Sequence, residues 1–250
     1  MNRRETLRLL LLTAFGSKGL VGASGLIAQE SAFGSRWQDW PDMRWAGPGY
    51  WGNRLQDWSV RDGELVCGVR APNRTLHCLT HRAMGPRYET SVLIDLSKPN
   101  KNPKTAFLIG LRLGVRGPFA DYRSAAVHGI GIDMGIETTG ALRIGDRRSD
   151  ERISLEEPVK LQVVTADSGG AIRVELTAQS QDGGPELVRL IHDGFKSDDL
   201  TGNLALLSHF EEEVPDEGAS FSDWKISGSG ILAEPSVNFG PVMFAQYTLH

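Results

Sequence analysis

The 250-residue sequence predicts an all-β fold, two packed antiparallel sheets in a sandwich of jelly-roll type. Three observations lead there. The chain reads as about a dozen short strand-like runs split by turn residues. No stretch of about 12 residues sustains a helical stripe. Glycine (29) and proline (12) are frequent enough to supply the turns that many short strands need. The length buries a full core without staples, and no break after residue 36 suggests a second domain.

The elements follow from local pattern. Asp57 to Val60 and Glu64 to Arg70 flank Asp62-Gly63, a strong hairpin dipeptide. Thr75 to Arg82 follows Ala71-Pro72-Asn73-Arg74. Tyr88 to Leu96 alternates, with Tyr88, Thr90, Val92, Ile94 and Leu96 on one face. Thr105 to Leu113 sets Phe107, Ile109, Leu111 and Leu113 in register. Val127 to Met134 and Ala141 to Ile144 are shorter. Val159 to Thr165, Ala171 to Ala178 and Glu186 to His192 are joined by Asp167-Ser168-Gly169-Gly170 and Asp182-Gly183-Gly184-Pro185. Leu204 to Phe210, Phe221 to Ile226 and Val237 to Thr248 complete the series.

The first residues read as an address. Arg3-Arg4 and Arg8 precede Leu9 to Leu12, the layout of a signal peptide, and the adjacent arginines resemble a twin-arginine export signal. The uncharged run from Leu9 to Ser17 is far shorter than the roughly 20 residues of a membrane-spanning helix. Cleavage is expected after Ala28 or Gly25. The expected organisation is a signal at 1–28, a Trp-rich segment at 29–58, the sandwich at 59–236 and a terminal strand at 237–250. The whole chain carries a formal charge of −4. Removal of residues 1–28 leaves 23 basic against 30 acidic residues, a charge of −7. Such acidity argues against a polybasic nucleic-acid binder.

Cys67 and Cys78 flank the Pro72-Asn73 turn at equal distance, so a hairpin centred there sets them face to face. A disulfide and a pair of buried thiols both remain open, because a one-residue slip moves one cysteine to the other face. His77 and His81 share a strand face and Cys78 takes the other. That argues against a common metal site, and no third ligand is evident. Trp45, Trp51 and Trp58 are expected in the core.

No motif announces catalysis. Hydrolase elbow, phosphate loop and zinc-protease helix are absent. Gly145 to Asp150 reads as a charged turn. Glu156-Glu157 and Glu211-Glu212-Glu213 read as solvated turns, and neither matches the Glu-x-Asp-x-x-Glu of sandwich glucanases. Ligand binding is more open. Arg112, Tyr122, Arg123, His128 and Asp133 fall mid-chain near Gly-rich strands and are the candidate ligand-binding residues, since sugars take hydrogen bonds from such groups.

Two stretches carry a resemblance. Trp51-Gly52-Asn53-Arg54-Leu55-Gln56-Asp57-Trp58, followed by Asp62-Gly63-Glu64-Leu65, resembles the opening of concanavalin A-like lectin and glucanase sandwiches. Phe221-Ser222-Asp223-Trp224-Lys225-Ile226-Ser227-Gly228 resembles their closing strand. The segment after residue 28 resembles the N-terminal region of secreted alkaline phosphatase D-like proteins, in which a stretch like Asn238 to Leu249 leads toward later domains. The resemblance implies periplasmic or secreted location, a glycan or phosphoester ligand, and a downstream metallophosphatase domain as partner. That domain's metal motifs have no counterpart here, so no catalytic residue and no cofactor is carried over, while calcium stays open. The expected role is a non-catalytic module whose chain stops before its partner domain. The alternative is a secreted glycoside hydrolase of sandwich fold.

Overall fold

The computed structural model describes residues 31–97, 106–119, 122–181 and 184–233. The expected signal segment 1–28, the loop around Pro99 to Pro103 and the run Val237 to Thr248 lie outside the described residues. In chain order the first strands are β1 (Ser31–Gly34), β2 (Tyr50–Gly52), β3 (Trp58–Arg61), β4 (Glu64–Cys67) and β5 (Arg74–Ala83). Then come β6 (Tyr88–Asp95), β7 (Phe107–Arg116), helix α1 (Tyr122–His128), β8 (Ile130–Glu137), β9 (Ala141–Ile144) and β10 (Arg147–Arg152). The remainder is β11 (Val159–Ser168), β12 (Ala171–Ser180), β13 (Glu186–Phe195), helix α2 (Ser197–Leu200), β14 (Gly202–Phe210), β15 (Ser220–Gly228) and β16 (Ile231–Ala233).

These strands form two sheets, both antiparallel throughout, as expected for the sandwich. Sheet A runs β13-β12-β11-β6-β15-β4-β3, with β1 also beside β15. Sheet B runs β10-β9-β8-β7-β14-β5-β16, with β2 also on β5. The alternation read from sequence decides which side chains enter the core. Tyr88, Val92 and Ile94 of β6 meet Phe107, Ile109, Leu111 and Leu113 of β7 in one buried cluster. Trp37, Trp58 and Trp224 are fully buried in it. The indole N–H groups of Trp224 and Trp37 find the partners that desolvation demands. Trp224 Nε1 donates to Thr90 Oγ1 at 3.0 Å, and Trp37 Nε1 to the Ala46 carbonyl at 3.2 Å. Asp62 and Gly63 sit at φ +51° and +77° and close the β3–β4 hairpin, which a two-residue turn of this twist requires.

Several expectations are corrected. The Cys67–Cys78 hairpin does not form. Ala71-Pro72-Asn73 hands the chain from sheet A to sheet B, so β4 and β5 are not neighbours. Cys67 pairs across from Trp58 and Cys78 from Tyr50, and both thiols are buried and free. The charged run Gly145 to Asp150 is not all turn: Gly145-Asp146 turns, and Arg147 onward forms β10 against β9. Val127 belongs to helix α1, not to a strand, and β8 begins at Ile130. Of Trp45, Trp51 and Trp58, only Trp58 reaches the core. Trp45 is 42% exposed, and Trp51 stands opposite His77 on the outward side of sheet B. The acidic loop after β14 is solvated as expected, and arginines also tie it down. Arg54 and Arg74 reach Glu213, Arg70 reaches Asp216, and Arg61 reaches Glu217.

Candidate functional site

Because Phe107, Ile109, Leu111 and Leu113 point into the core, Leu108, Gly110 and Arg112 point outward from sheet B. The strand registers then fix rows across this outer face. His209, Leu108 and Glu137 make one row on β14, β7 and β8. Thr75, Leu207, Gly110, Gly135, Arg143 and Arg148 make the next, from β5 to β10. His77, Ala205, Arg112 and Asp133 make a third. Helix α1 covers the end of the face beyond them, seating Ala125 on Val115 and Ala205.

The third row holds the sequence-predicted pair. Arg112 and Asp133 are opposed across β7 and β8. The guanidinium binds the carboxylate at both oxygens, through Nε to Oδ1 and through Nη2 to Oδ2 at 2.9 Å. Its remaining nitrogen, Nη1, donates to Asn73 Oδ1 at 2.6 Å. Arg112 thus links β8 to the turn that precedes β5. Thr75 and Leu207, in the row between, are buried although they face outward. Asn73 is held in turn. Its backbone sits at φ +55°, its carbonyl accepts from Asn53 Nδ2 at 2.8 Å, and its N–H donates to His209 Nδ1 at 3.2 Å. An Nδ1 that accepts leaves the His209 proton on Nε2 in the neutral ring. Burial also lowers the pKa of His209. Asp133 opposes that shift, and Arg112 adds to it.

Beside this network, Glu137 accepts from Arg148 Nε at 2.9 Å through each oxygen, and Arg143 Nη1 lies 3.5 Å away. Arg143 is braced by its own Nε, which donates to the Gly145 carbonyl at 2.6 Å. These groups line a cavity of about 240 Å3 with Leu108, His209, Glu211, Thr138 and Thr139. The floor next to it is bare backbone. Gly110 and Gly135 face each other across β7 and β8, and a Cβ on Gly135 would stand 2.1 Å from the Ile109 carbonyl oxygen. Glycine inside a strand marks a close backbone approach, and here it lowers the floor of the outer face.

The other predicted residues fare differently. Tyr122 and Arg123 open helix α1, and their side chains lie outside the described residues. His128 is exposed in the last turn of α1, and none of the described hydrogen bonds joins it to Arg112 or Asp133. Sequence reasoning missed Asn73, Glu137, Arg143, Arg148 and His209 as members of the site. Outward alternation on Gly-rich β8 points to Glu137 once Asp133 is chosen, whereas Asn73 and His209 are 136 residues apart and carry no local signal. His77 and Cys78 do take opposite faces, but a bulge in β5 breaks the alternation before His81, which lies 5.4 Å from the Phe33 ring. Among the described residues no three His, Cys, Asp or Glu side chains gather as a metal-binding group.

Asp133 and Glu137 are not placed as the carboxylate pair of a glycoside hydrolase. Asp133 and Glu137 are four residues apart on one strand, about 13 Å along it, beyond the roughly 5–9.5 Å that paired catalytic carboxylates need. Both are also already committed to guanidinium donors.

No protein-family model matches this chain, and no curated protein does. Solved structures do. Arcelin-5, a lectin-like defence protein of Phaseolus vulgaris, is similar with a TM-score of 0.50 at 9% identity, over 81% of this chain and 100% of its own. The winged bean acidic lectin, solved with methyl-α-D-galactose, gives 0.52 at 8% identity, over 82% and 100%. A bifunctional GH43-CE protein of Bacteroides eggerthii gives 0.51 at 17% identity, over 72% of this chain and 25% of that one. At such identities the likeness concerns the fold. The chain has a concanavalin-like β-sandwich fold.

Proposed function

We propose that this chain is a non-catalytic, glycan-binding sandwich module. It is exported by the twin-arginine route and forms the N-terminal part of an alkaline phosphatase D-like protein. The observation that carries the binding assignment is the charge-balanced cavity beside the Arg112–Asn73–His209 network. Arg143, Arg148, Glu137 and Glu211 line it together, and burial lowers the pKa of His209 beside them. A sugar hydroxyl both donates and accepts, so it can bridge such paired groups without disturbing the balance. A phosphoester has to compete with Glu137 for the guanidiniums, and it meets no net positive charge. A cavity of this volume, below the roughly 300–1,000 Å3 of drug-sized sites, suits one ring of a longer chain. Support for export and for the phosphatase context comes from Arg3-Arg4 and from the sequence resemblance.

The test is a screen of the purified chain against neutral and uronic oligosaccharides and a phosphodiester, in calcium and in chelator, followed by calorimetry. Neutral glycans are expected to bind, and Arg148→Ala or Glu137→Gln to weaken them about tenfold, the loss of one hydrogen bond to a charged group. Absence of any glycan ligand overturns the reading. Release of reducing ends favours the glycoside hydrolase alternative, and metal-dependent phosphatase activity removes the non-catalytic assignment. For export, Lys in place of Arg3 and Arg4 should retain the protein in the cytoplasm; undiminished periplasmic delivery refutes that part.

A further inference from the structure

The cavity beside Glu137 has two unlike walls. Ala106 and Leu108 alternate with core-facing Phe107 and Ile109, so both face outward at the entry to β7. On β14 and just past it, His209 and Glu211 alternate with buried Ser208 and Phe210 and face the same way. Strand pairing sets the four in a square. His209 stands opposite Leu108, and the Glu211 N–H donates to the Ala106 carbonyl at 3.1 Å. Paired strands lie about 4.8 Å apart, and two residues along a strand cover about 7 Å. All four residues line the cavity. One side of the square is apolar, and the other carries a donor and an acceptor.

Both polar corners keep capacity for a ligand. Nδ1 of His209 accepts from the Asn73 N–H, so Nε2 carries the ring proton, and none of the described hydrogen bonds uses it. The exposed Glu211 carboxylate makes no hydrogen bond or ion pair among the described residues. Glu137, by contrast, is held by Arg148 and Arg143. A ligand that completes the square gives an acceptor to His209, a donor to Glu211 and a small apolar group to Leu108 and Ala106. A hydroxyl fills the polar roles and leaves the apolar one open. An N-acetyl group fills all three. Its amide is planar and trans, so the C=O and N–H point in opposite directions, toward separate corners. Its methyl is left for the apolar wall.

We propose that the cavity selects a glycan residue bearing an acetamido group, with His209, Glu211, Leu108 and Ala106 recognising that group. The inference rests on the glycan-binding reading of this same site. The neighbouring hydroxyls of the sugar then meet Glu137, one strand beyond Leu108, with Arg148 and Arg143 beside it. A peptide amide also offers C=O and N–H, but it brings no hydroxyls to that charged side. An amino sugar without the acetyl group gives His209 no acceptor and the apolar wall no methyl.

Calorimetry on the full chain tests the selection, with trisaccharides of N-acetylglucosamine and of glucose in the same linkage as probes. The acetamido sugar is expected to bind about tenfold more tightly or better, the net worth of one to two hydrogen bonds. Its N-formyl counterpart keeps the amide and lacks the methyl, and is expected to bind about fourfold more weakly than the acetyl form. Glu211→Ala and His209→Phe should each narrow the preference to about threefold or less. Glu211 is exposed, so its variant keeps the test in force if His209→Phe fails to fold. Equal affinity for the two trisaccharides overturns the acetamido assignment and leaves the glycan reading standing. So does a preference that neither variant narrows. An acetylated peptide that competes with the trisaccharide on equal terms overturns the choice of a sugar. Absence of binding by every sugar overturns both readings together.

Discussion

Replacing Gly135 by alanine probes the point where β7 and β8 press closest beneath the cavity. The new Cβ would stand 2.1 Å from the Ile109 carbonyl oxygen, 2.7 Å from its carbon and 2.9 Å from the Gly110 Cα. Non-bonded carbons prefer about 3.5–4.0 Å, so the strands have to part by about 1 Å or more. All three obstacles are backbone of the neighbouring strand, which cannot rotate away as a side chain can. Overpacking of this kind costs about 1–3 kcal/mol. Alanine returns about 0.5–1 kcal/mol by restricting the unfolded chain. With backbone as the obstacle the cost belongs at the upper end, leaving a net loss of about 2 kcal/mol. That lowers Tm by about 4–8 °C for a chain of this size. Urea denaturation is the assay, read as a lower midpoint at unchanged slope. Gly34→Ala is the control, since a Cβ there has nothing within 4 Å. A Gly135→Ala midpoint within about 0.5 kcal/mol of the wild type, no different from a surface change, would refute the close apposition.

Two further predictions follow from buried groups. Burial depresses the His77 pKa from 6.5 to about 3, with the Arg112 charge adding to the shift. The folded state thus binds fewer protons than the unfolded one below pH 6.5, and stability is full above that pH and lost as pH falls toward 3. Between pH 6.5 and 5 this costs about 2 kcal/mol. His77→Gln should flatten the stability curve in that window; parallel curves for variant and wild type would count against the assignment. Burial also raises the Cys67 pKa to about 11 and raises that of Cys78, and the thiolate is the reactive form. The native protein should therefore resist alkylation at pH 8 and accept two labels in denaturant without reductant, measured by intact mass. Labels that enter only after reduction would reinstate the disulfide.

The legible part of the fold is the part set by near neighbours. Alternation alone places Tyr88, Val92 and Ile94 on one face, and they are core. Asp62-Gly63 signals its hairpin with two residues. The Cys67–Cys78 expectation failed because it extended that local logic across Pro72-Asn73. There the chain changes sheets, and no dipeptide announces such a crossing. Helix α1 escaped because seven residues are too few for a helical period to stand out, and its stability comes from seating Ala125 on Val115 and Ala205. Arg112 and Asp133 stand opposite each other across β7 and β8. Their partners Asn73 and His209 come from distant parts of the chain.

What this sequence determines by itself is the strand inventory, the inward and outward faces and the turns, because side-chain alternation has a period of two and needs only adjacent residues. What only the tertiary structure decides is which strand neighbours which. Pairing β14 with β7 rather than with β13 is a matter of burying both inner faces at once, a property of the whole chain. The outer-face site is a product of those pairings. Asn73, Arg112, Asp133, Glu137, Arg148 and His209 are ordinary polar residues in sequence order, and they become one surface only when β5, β14, β7, β8, β9 and β10 lie side by side.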